Sequence, residues 1–122
     1  MKQTTEDYLK TIYLLNYGNN GVRAVEISER LKVSRPTVTV IVRRLIEEGY
    51  AIKNSEHKIF LTEKGEKLAG DTLNRNKLFR YILTKLGVDE KTASKDACEM
   101  EHAVSAESYE ALKRFAQRWE SK

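Results

Sequence analysis

The chain has 122 residues, 40% of them hydrophobic and 33% charged, with 22 Lys and Arg against 18 Asp and Glu for a net charge of +4. That length allows one compact domain, or a small domain with a dimerisation appendage, and argues against a large enzyme. A single cysteine excludes an internal disulfide and fits a reducing cytoplasm. The N-terminus shows no apolar signal core, and no run approaches the roughly 20 apolar residues of a membrane span. The charge is unevenly spread: residues 1–50 carry 8 basic and 6 acidic side chains, 51–88 carry 8 and 4, and 89–122 carry 6 and 8. A polyanionic partner therefore belongs to the front of the molecule and a cation site to the back.

In chain order, Thr4 or Thr5 starts a first helix, with Glu6 and Asp7 in its favoured first turn and apolar residues at Tyr8, Leu9, Ile12, Tyr13 and Leu15. Tyr8 and Tyr13 read as core. The helix stops at Gly18-Asn-Asn-Gly21, and Val22 forms a short extended entry. Val25, Ile27 and Leu31 are the buried stripe of a short second helix within residues 25–32, and Val33-Ser34 is a tight turn. Ser34 caps a third helix, residues 35–48, with Pro36 in its first turn, Val38, Ile41, Val42 and Leu45 inward, and Gly49 at its end. Two helices joined by so short a turn form a helix-turn-helix unit.

Residues 50–53 and 58–62 are short β-prone runs separated by the turn-rich Asn54-Ser-Glu-His57, so they predict a hairpin. A hairpin directly after the recognition helix is the wing of a winged helix. Thr62-Glu-Lys-Gly65 then opens a long helix that lasts until Gly87. Asp89 caps the next helix, and Ser105 or Ala106 starts a last one with Tyr109, Leu112, Phe115, Ala116 and Trp119 on one side. The fold class is mostly α: a winged helix-turn-helix of three helices and a two-stranded wing over residues 1–70, followed by a helical dimerisation domain over 71–122. These last helices are too few to enclose a core of their own. Leu78, Phe79, Ile82, Leu112, Phe115 and Trp119 therefore read as half of an interface in a two-fold homodimer, whose symmetry predicts a palindromic operator on double-stranded DNA.

On the DNA face, Ser34, Thr37 and Thr39 offer short hydroxyls at the exposed start of the recognition helix, suited with Arg35 to phosphate oxygens. Arg43 and Arg44 reach phosphate or simply solvate the helix. Lys53, His57 and Lys58 are placed for the wing to touch the backbone. Further on, Cys98, Glu101 and His102 stand at i, i+3 and i+4, within roughly 100° of one helical face. A thiol, a carboxylate and an imidazole so arranged suit Fe(II), Co(II), Ni(II) or Zn(II) better than Ca²⁺ or Mg²⁺.

Thr4-Thr-Glu-Asp-Tyr-Leu-Lys-Thr-Ile-Tyr13, Val33-Ser-Arg-Pro-Thr-Val-Thr39, Leu61-Thr-Glu-Lys-Gly65 and Asp96-Ala-Cys-Glu-Met-Glu-His102 followed by Ser105 resemble the diphtheria toxin repressor family, in order and over nearly the whole chain. The resemblance implies a metal-dependent transcriptional repressor of metal-homeostasis genes with Fe(II) or Mn(II) as corepressor, in a short form without the SH3-like domain of longer members. It places Asp7, Cys98, Glu101 and His102 on ligand positions shared between the DNA-binding and dimerisation domains, and Pro36 and Val40 on positions that touch base edges. Those two apolar surfaces suit thymine methyl groups.

The departures are equally informative. Asn76 stands where the family usually has a histidine ligand. Arg80 and Ser94 replace acidic and histidine ligands of iron-responsive members, and Lys10 replaces a glutamate of binuclear manganese regulators. A cationic side chain repels metal, so the expectation is one ion per subunit, with Cys98 tilting the preference to Fe(II) over Mn(II). Two other readings stay open: a winged-helix regulator that no longer needs metal, and a redox switch sensing through Cys98. An enzyme is excluded as the reading, since no set of nucleophile, base and orienting acid and no phosphate-cradling glycine loop is present.

Overall fold

In the computed structural model, which describes residues 2–120, the chain begins with helix α1, Lys2–Leu15. The helix starts ahead of Thr4 and Thr5, because Lys2 and Gln3 are good helix formers and no Pro or Gly interrupts them. A 3₁₀ turn at Tyr17–Asn19, with Gly18 at φ +60°, separates it from α2, Ala24–Leu31, and α3, Arg35–Glu47. Strands β1, Ala51–Lys53, and β2, Ile59–Leu61, pair antiparallel with Ile52 opposite Phe60. Val22 adds a third stub by exchanging backbone hydrogen bonds of 2.9 and 2.7 Å with Ile59. Helices α4, Glu63–Lys85, α5, Glu90–Ala103, and α6, Ala106–Glu120, complete the described chain. It divides into two compact units, Met1–Gly70 and Asp71–Lys122. No described helix is long and apolar enough to cross a membrane.

The first unit is the expected winged helix-turn-helix. Its core gathers Tyr8, Leu9 and Ile12 of α1, Ile27 of α2, and Val38, Val42 and Leu45 of α3 with Val22, Ala51, Ile59 and Ala69. Tyr13, expected in this core, is instead 46% exposed. The inward stripe of α1 is used up by Tyr8, Leu9 and Ile12, which leaves position 13 turned outward. The turn between α2 and α3 is closed by Lys32 in the left-handed region, φ +57°, and by Ser28 Oγ donating to the Val33 carbonyl at 2.6 Å.

The end of α3 and the start of α4 are joined by a tight backbone contact. Thr62 Oγ donates to the Gly49 carbonyl at 2.6 Å, the Thr62 N–H donates to the Tyr50 carbonyl at 3.0 Å, and the Gly65 N–H donates to Thr62 Oγ at 3.2 Å. A Cβ at Gly65 would lie 2.1 Å from the Tyr50 carbonyl oxygen. Gly65 is therefore in the Thr62-Glu-Lys-Gly65 motif because the helix must approach the backbone at the base of the wing.

The second unit is small but has an interior. Phe79 is fully buried and meets Tyr109 edge-on, with centroids 6.1 Å apart. Ala93 and Ala97 of α5 and Ala116 of α6 are buried as well. This corrects the expectation that the last helices enclose no core and that Phe79 is part of an interface: small alanines let the helices approach until one aromatic ring fills the space between them. Ile82 and Trp119 remain partly exposed, Leu86 and Phe115 largely so, around an apolar groove of about 400 Å³.

Two outcomes follow for the first unit. Gly65→Ala overpacks the contact with Tyr50 and should cost about 1–3 kcal/mol, read as a lower urea midpoint at unchanged slope. The Tyr8 hydroxyl is buried without a hydrogen-bond partner among the described residues. Burial raises its pKa, and the nearby Arg44 charge opposes the rise. The unfolded chain then loses the phenolic proton first, so stability should be level below about pH 10 and fall above it as pH climbs through the folded value. Tyr8→Phe should abolish that alkaline fall in chemical denaturation series and cost little at neutral pH.

Candidate metal site and nucleic-acid interface

The donor cluster is built on α5. Its inward row is Ala93, Ala97 and Glu101, spaced four residues apart, so the row that brings the helix close to its neighbours ends in a carboxylate. Asp89 starts the helix by accepting from the Lys91 and Thr92 backbone N–H groups at 3.1 and 3.4 Å. Glu101 is 1% exposed, and its Oε2 lies 3.4 Å from His102 Nε2. Across from it on α4, Asn76 Nδ2 donates to Glu101 Oε1 at 2.9 Å and to Cys98 Sγ at 3.6 Å. Asn76 thus bridges Glu101 and Cys98, while His102 stands beside Glu101 on its other oxygen. Cys98 is exposed and His102 half-buried.

Asp7 lies on α1 in the first unit, half-buried between the buried Glu6 and Tyr8. Of the residues that depart from the family pattern, Lys10 and Ser94 are half-buried and Arg80 is exposed. A buried carboxylate is unfavourable without polar partners or a cation beside it. Glu101 has an amide N–H and an imidazole nitrogen there, with a thiol one helical turn back, and this oxygen, nitrogen and sulfur set fits a divalent transition ion.

Two contributors were not foreseen as such. By family pattern Asn76 reads only as a missing ligand, although a polar residue on the inward stripe of α4 between buried Thr72 and Phe79 is itself a sign of a polar partner. Arg75 donates to the Val104 carbonyl and lies over the Tyr109 ring, 5.1 Å from its centroid. It thereby holds the turn that follows the donor cluster. Nothing in the local sequence pattern points to that carbonyl.

The residues expected to face nucleic acid lie mostly at the start of α3. Ser34, Arg35, Pro36, Thr37, Thr39 and Val40 are all exposed, Val40 at 60%. Ser34 is the N-cap, its Oγ accepting from the Thr37 N–H at 3.3 Å and lying 2.8 Å from Thr37 Oγ. Thr39 Oγ donates to the Arg35 carbonyl at 3.1 Å. On the wing, Lys53 is exposed and Lys58 half-buried. Asn54 shapes the turn by accepting from the Glu56 and Lys58 N–H groups at 3.0 and 2.9 Å, and His57 takes a positive φ of 63°. Arg43 is exposed, whereas Arg44 is half-buried with Nε 3.8 Å from Glu48.

Two family models match the chain. One, described as the iron dependent repressor, N-terminal DNA binding domain, covers residues 1–57; the other, its metal binding and dimerisation domain, covers residues 62–121. An uncharacterized HTH-type transcriptional regulator of Methanocaldococcus jannaschii is 38% identical over 124 residues, covering 100% of this chain and 99% of the relative. The transcriptional regulator MntR of Salmonella typhimurium is 35% identical over 117 residues, 96% of this chain and 74% of MntR. The solved manganese regulator SloR is similar with a TM-score of 0.79 at 30% identity, over 93% of this chain. The chain spans about half the length of that structure, 53%.

Because Ser34 satisfies one of the open N–H groups at the start of α3, Ser34→Ala should lower stability by about 1 kcal/mol. The check is thermal or urea unfolding of the variant beside Ser55→Ala, whose side chain lies in the exposed wing turn and should be neutral.

Proposed function

Since the chain belongs to the iron dependent repressor family of metal-dependent transcriptional regulators, we propose that it represses metal-homeostasis genes in the cytoplasm when Fe(II), or alternatively Mn(II), is bound by Asp7, Cys98, Glu101 and His102. The observation that carries this reading is the buried Glu101 carboxylate beside His102 Nε2 and within one helical turn of Cys98. Bound there, the ion supplies positive charge that lets several donors converge. The sulfur of Cys98 favours Fe(II), while the two carboxylates keep Mn(II) acceptable.

Control follows from where the donors sit in the chain. Asp7 belongs to the unit that carries α3, and the other three belong to the unit of α5. One ligand set drawn from both restricts the units to arrangements in which the donors meet. A tenfold preference for the DNA-competent arrangement then shifts the balance by about 1.4 kcal/mol. Two chains paired through the second unit, by way of Ile82, Phe115 and Trp119, present two α3 helices to half-sites about one turn of DNA apart. Ser34, Arg35, Thr37 and Thr39 with Lys58 hold phosphates, and Pro36 and Val40 read thymine methyls on a palindromic operator.

Cys98 is exposed, which favours a thiol switch as the second reading. The two separate in one experiment. An operator is selected from random duplexes by the Mn(II)- or Fe(II)-loaded protein, and its affinity is followed by fluorescence anisotropy. Chelation and His102→Ala should each weaken binding at least about tenfold. Equal operator affinity after chelation would sink the metal reading, and peroxide-dependent release that survives Glu101→Gln would favour the thiol.

A further inference from the structure

Asn76 occupies an unusual place in the donor cluster. Its amide nitrogen faces both Glu101 Oε1, at 2.9 Å, and Cys98 Sγ, at 3.6 Å. An ionised carboxylate only accepts hydrogen bonds, so the amide must present its N–H₂ rather than its carbonyl here. The amide nitrogen's lone pair is delocalised into the carbonyl, and it is no metal donor in this orientation. What it brings to the cluster is the positive end of a dipole, together with two hydrogens that engage two donor atoms.

We propose that Asn76 is the positioning residue of the cation site, committing Glu101 Oε1 so that Glu101 meets an ion through Oε2, and limiting the site to one ion. The inference rests on the metal-binding reading above and extends it. Three features support it. Asn76 is half-buried on α4, between the buried Thr72 and Phe79 on the same helix. The next residue back, Arg75, holds the Val104 carbonyl just beyond the end of α5, so consecutive residues of α4 anchor the end of the donor helix. Glu101 Oε2 is the oxygen on the His102 side, 3.4 Å from Nε2, so the hydrogen bond to Oε1 turns Oε2 and the imidazole towards each other.

The consequence is selectivity. A carboxylate restricted to one oxygen grips a large, oxygen-seeking ion such as Mn(II) less well. An ion that accepts sulfur and nitrogen, such as Co(II) or Fe(II), loses little, because Cys98 and His102 supply those donors. The N–H dipole also opposes a second cation on the Asn76 side.

The test uses the full chain under reducing conditions, with Co(II) and Mn(II) as probes. The native protein should bind one Co(II) per chain, with a thiolate-to-metal absorption band. Asn76→Leu, which keeps the volume and removes the N–H groups, should weaken Co(II) about tenfold and Mn(II) distinctly less, narrowing the Co(II) to Mn(II) ratio. Thermal unfolding of the metal-free variant shows that it is folded. Unchanged affinities, an equal fall for both ions, or a second Co(II) per native chain would each overturn the proposal. A metal-free readout keeps its failure separate from that of the proposed function. The Asn76 side-chain amide signals in ¹⁵N NMR should move in both Glu101→Gln and Cys98→Ala, and signals unmoved in both would refute the hydrogen bonds themselves. Uptake of neither ion by the native chain would overturn the proposed function, and with it the selectivity.

Discussion

A carboxylate enters the interior of the second unit because Glu101 continues a row of alanines. Ala93 and Ala97 allow α5 to approach its neighbours closely, and the next position on the same row, four residues on, has the same burial with a charged group at its tip. Such a group is retained in a small core only with polar company. The company here is an amide from α4 and an imidazole from the next residue of α5. The site is therefore a property of helix packing before it is a property of ligands. Alanine rows set the helix spacing, the spacing buries Glu101, and the buried carboxylate draws Asn76 and His102 into place.

The first unit follows a parallel logic with backbone in place of side chains. Its short elements could not hold a wing against three helices by apolar area alone, since each strand is three residues long and a two-stranded hairpin is marginal by itself. Thr62 supplies the difference by donating to the carbonyls of Gly49 and Tyr50, where α3 hands over to β1, and Gly65 donates to Thr62 Oγ and leaves room for the Tyr50 carbonyl. Val22 adds a rung on the open side of β2. The recognition helix is thus held at its far end by a backbone junction, while its exposed start is ordered by the Ser34 cap.

Much of this was legible in the sequence, and the legible part is local. Ser34, Asp89 and Thr62 announce helix starts through cap chemistry, and Gly49 and Gly87 end helices with positive φ. The hairpin announces itself by β-prone runs around Asn54 and His57. Thr4 and Thr5 are good caps and so suggest a later start for α1, but nothing before them forbids a helix, and it begins at Lys2. Tyr13 and Phe79 differ from expectation for one shared reason: helical periodicity says which residues share a face, not which face finds a partner. Cys98, Glu101 and His102 could be placed on one face from spacing. That Glu101 alone of the three is buried goes with the alanines upstream on the same helical row. Asn76 reaches Glu101 across 25 positions, and no local pattern encodes such a pairing.

The hydrogen bonds at the start of α3 bear on how sequence can be read from DNA. Ser34 Oγ is engaged with Thr37, and Thr39 Oγ with the Arg35 carbonyl. A hydroxyl that has already given its one hydrogen to the protein retains only acceptor lone pairs, and phosphate oxygens are acceptors too. Thr39 must therefore break its bond to the Arg35 carbonyl, or use a bridging water, before it can touch the backbone. Arg35 and Lys58 carry charge that needs no such exchange. On the proposed reading, Arg35 and Lys58 hold phosphate directly, while Thr39 joins them only after releasing its helix bond or through a bridging water. On the same proposed reading, discrimination falls to the exposed apolar surfaces of Pro36 and Val40. Because a methyl contact offers no directional bond, a single half-site read this way distinguishes sequences weakly. In the proposed two-fold dimer, symmetry-related half-sites and DNA shape would supply the remainder, so that the distance between two reading helices, and whatever fixes it, would decide specificity.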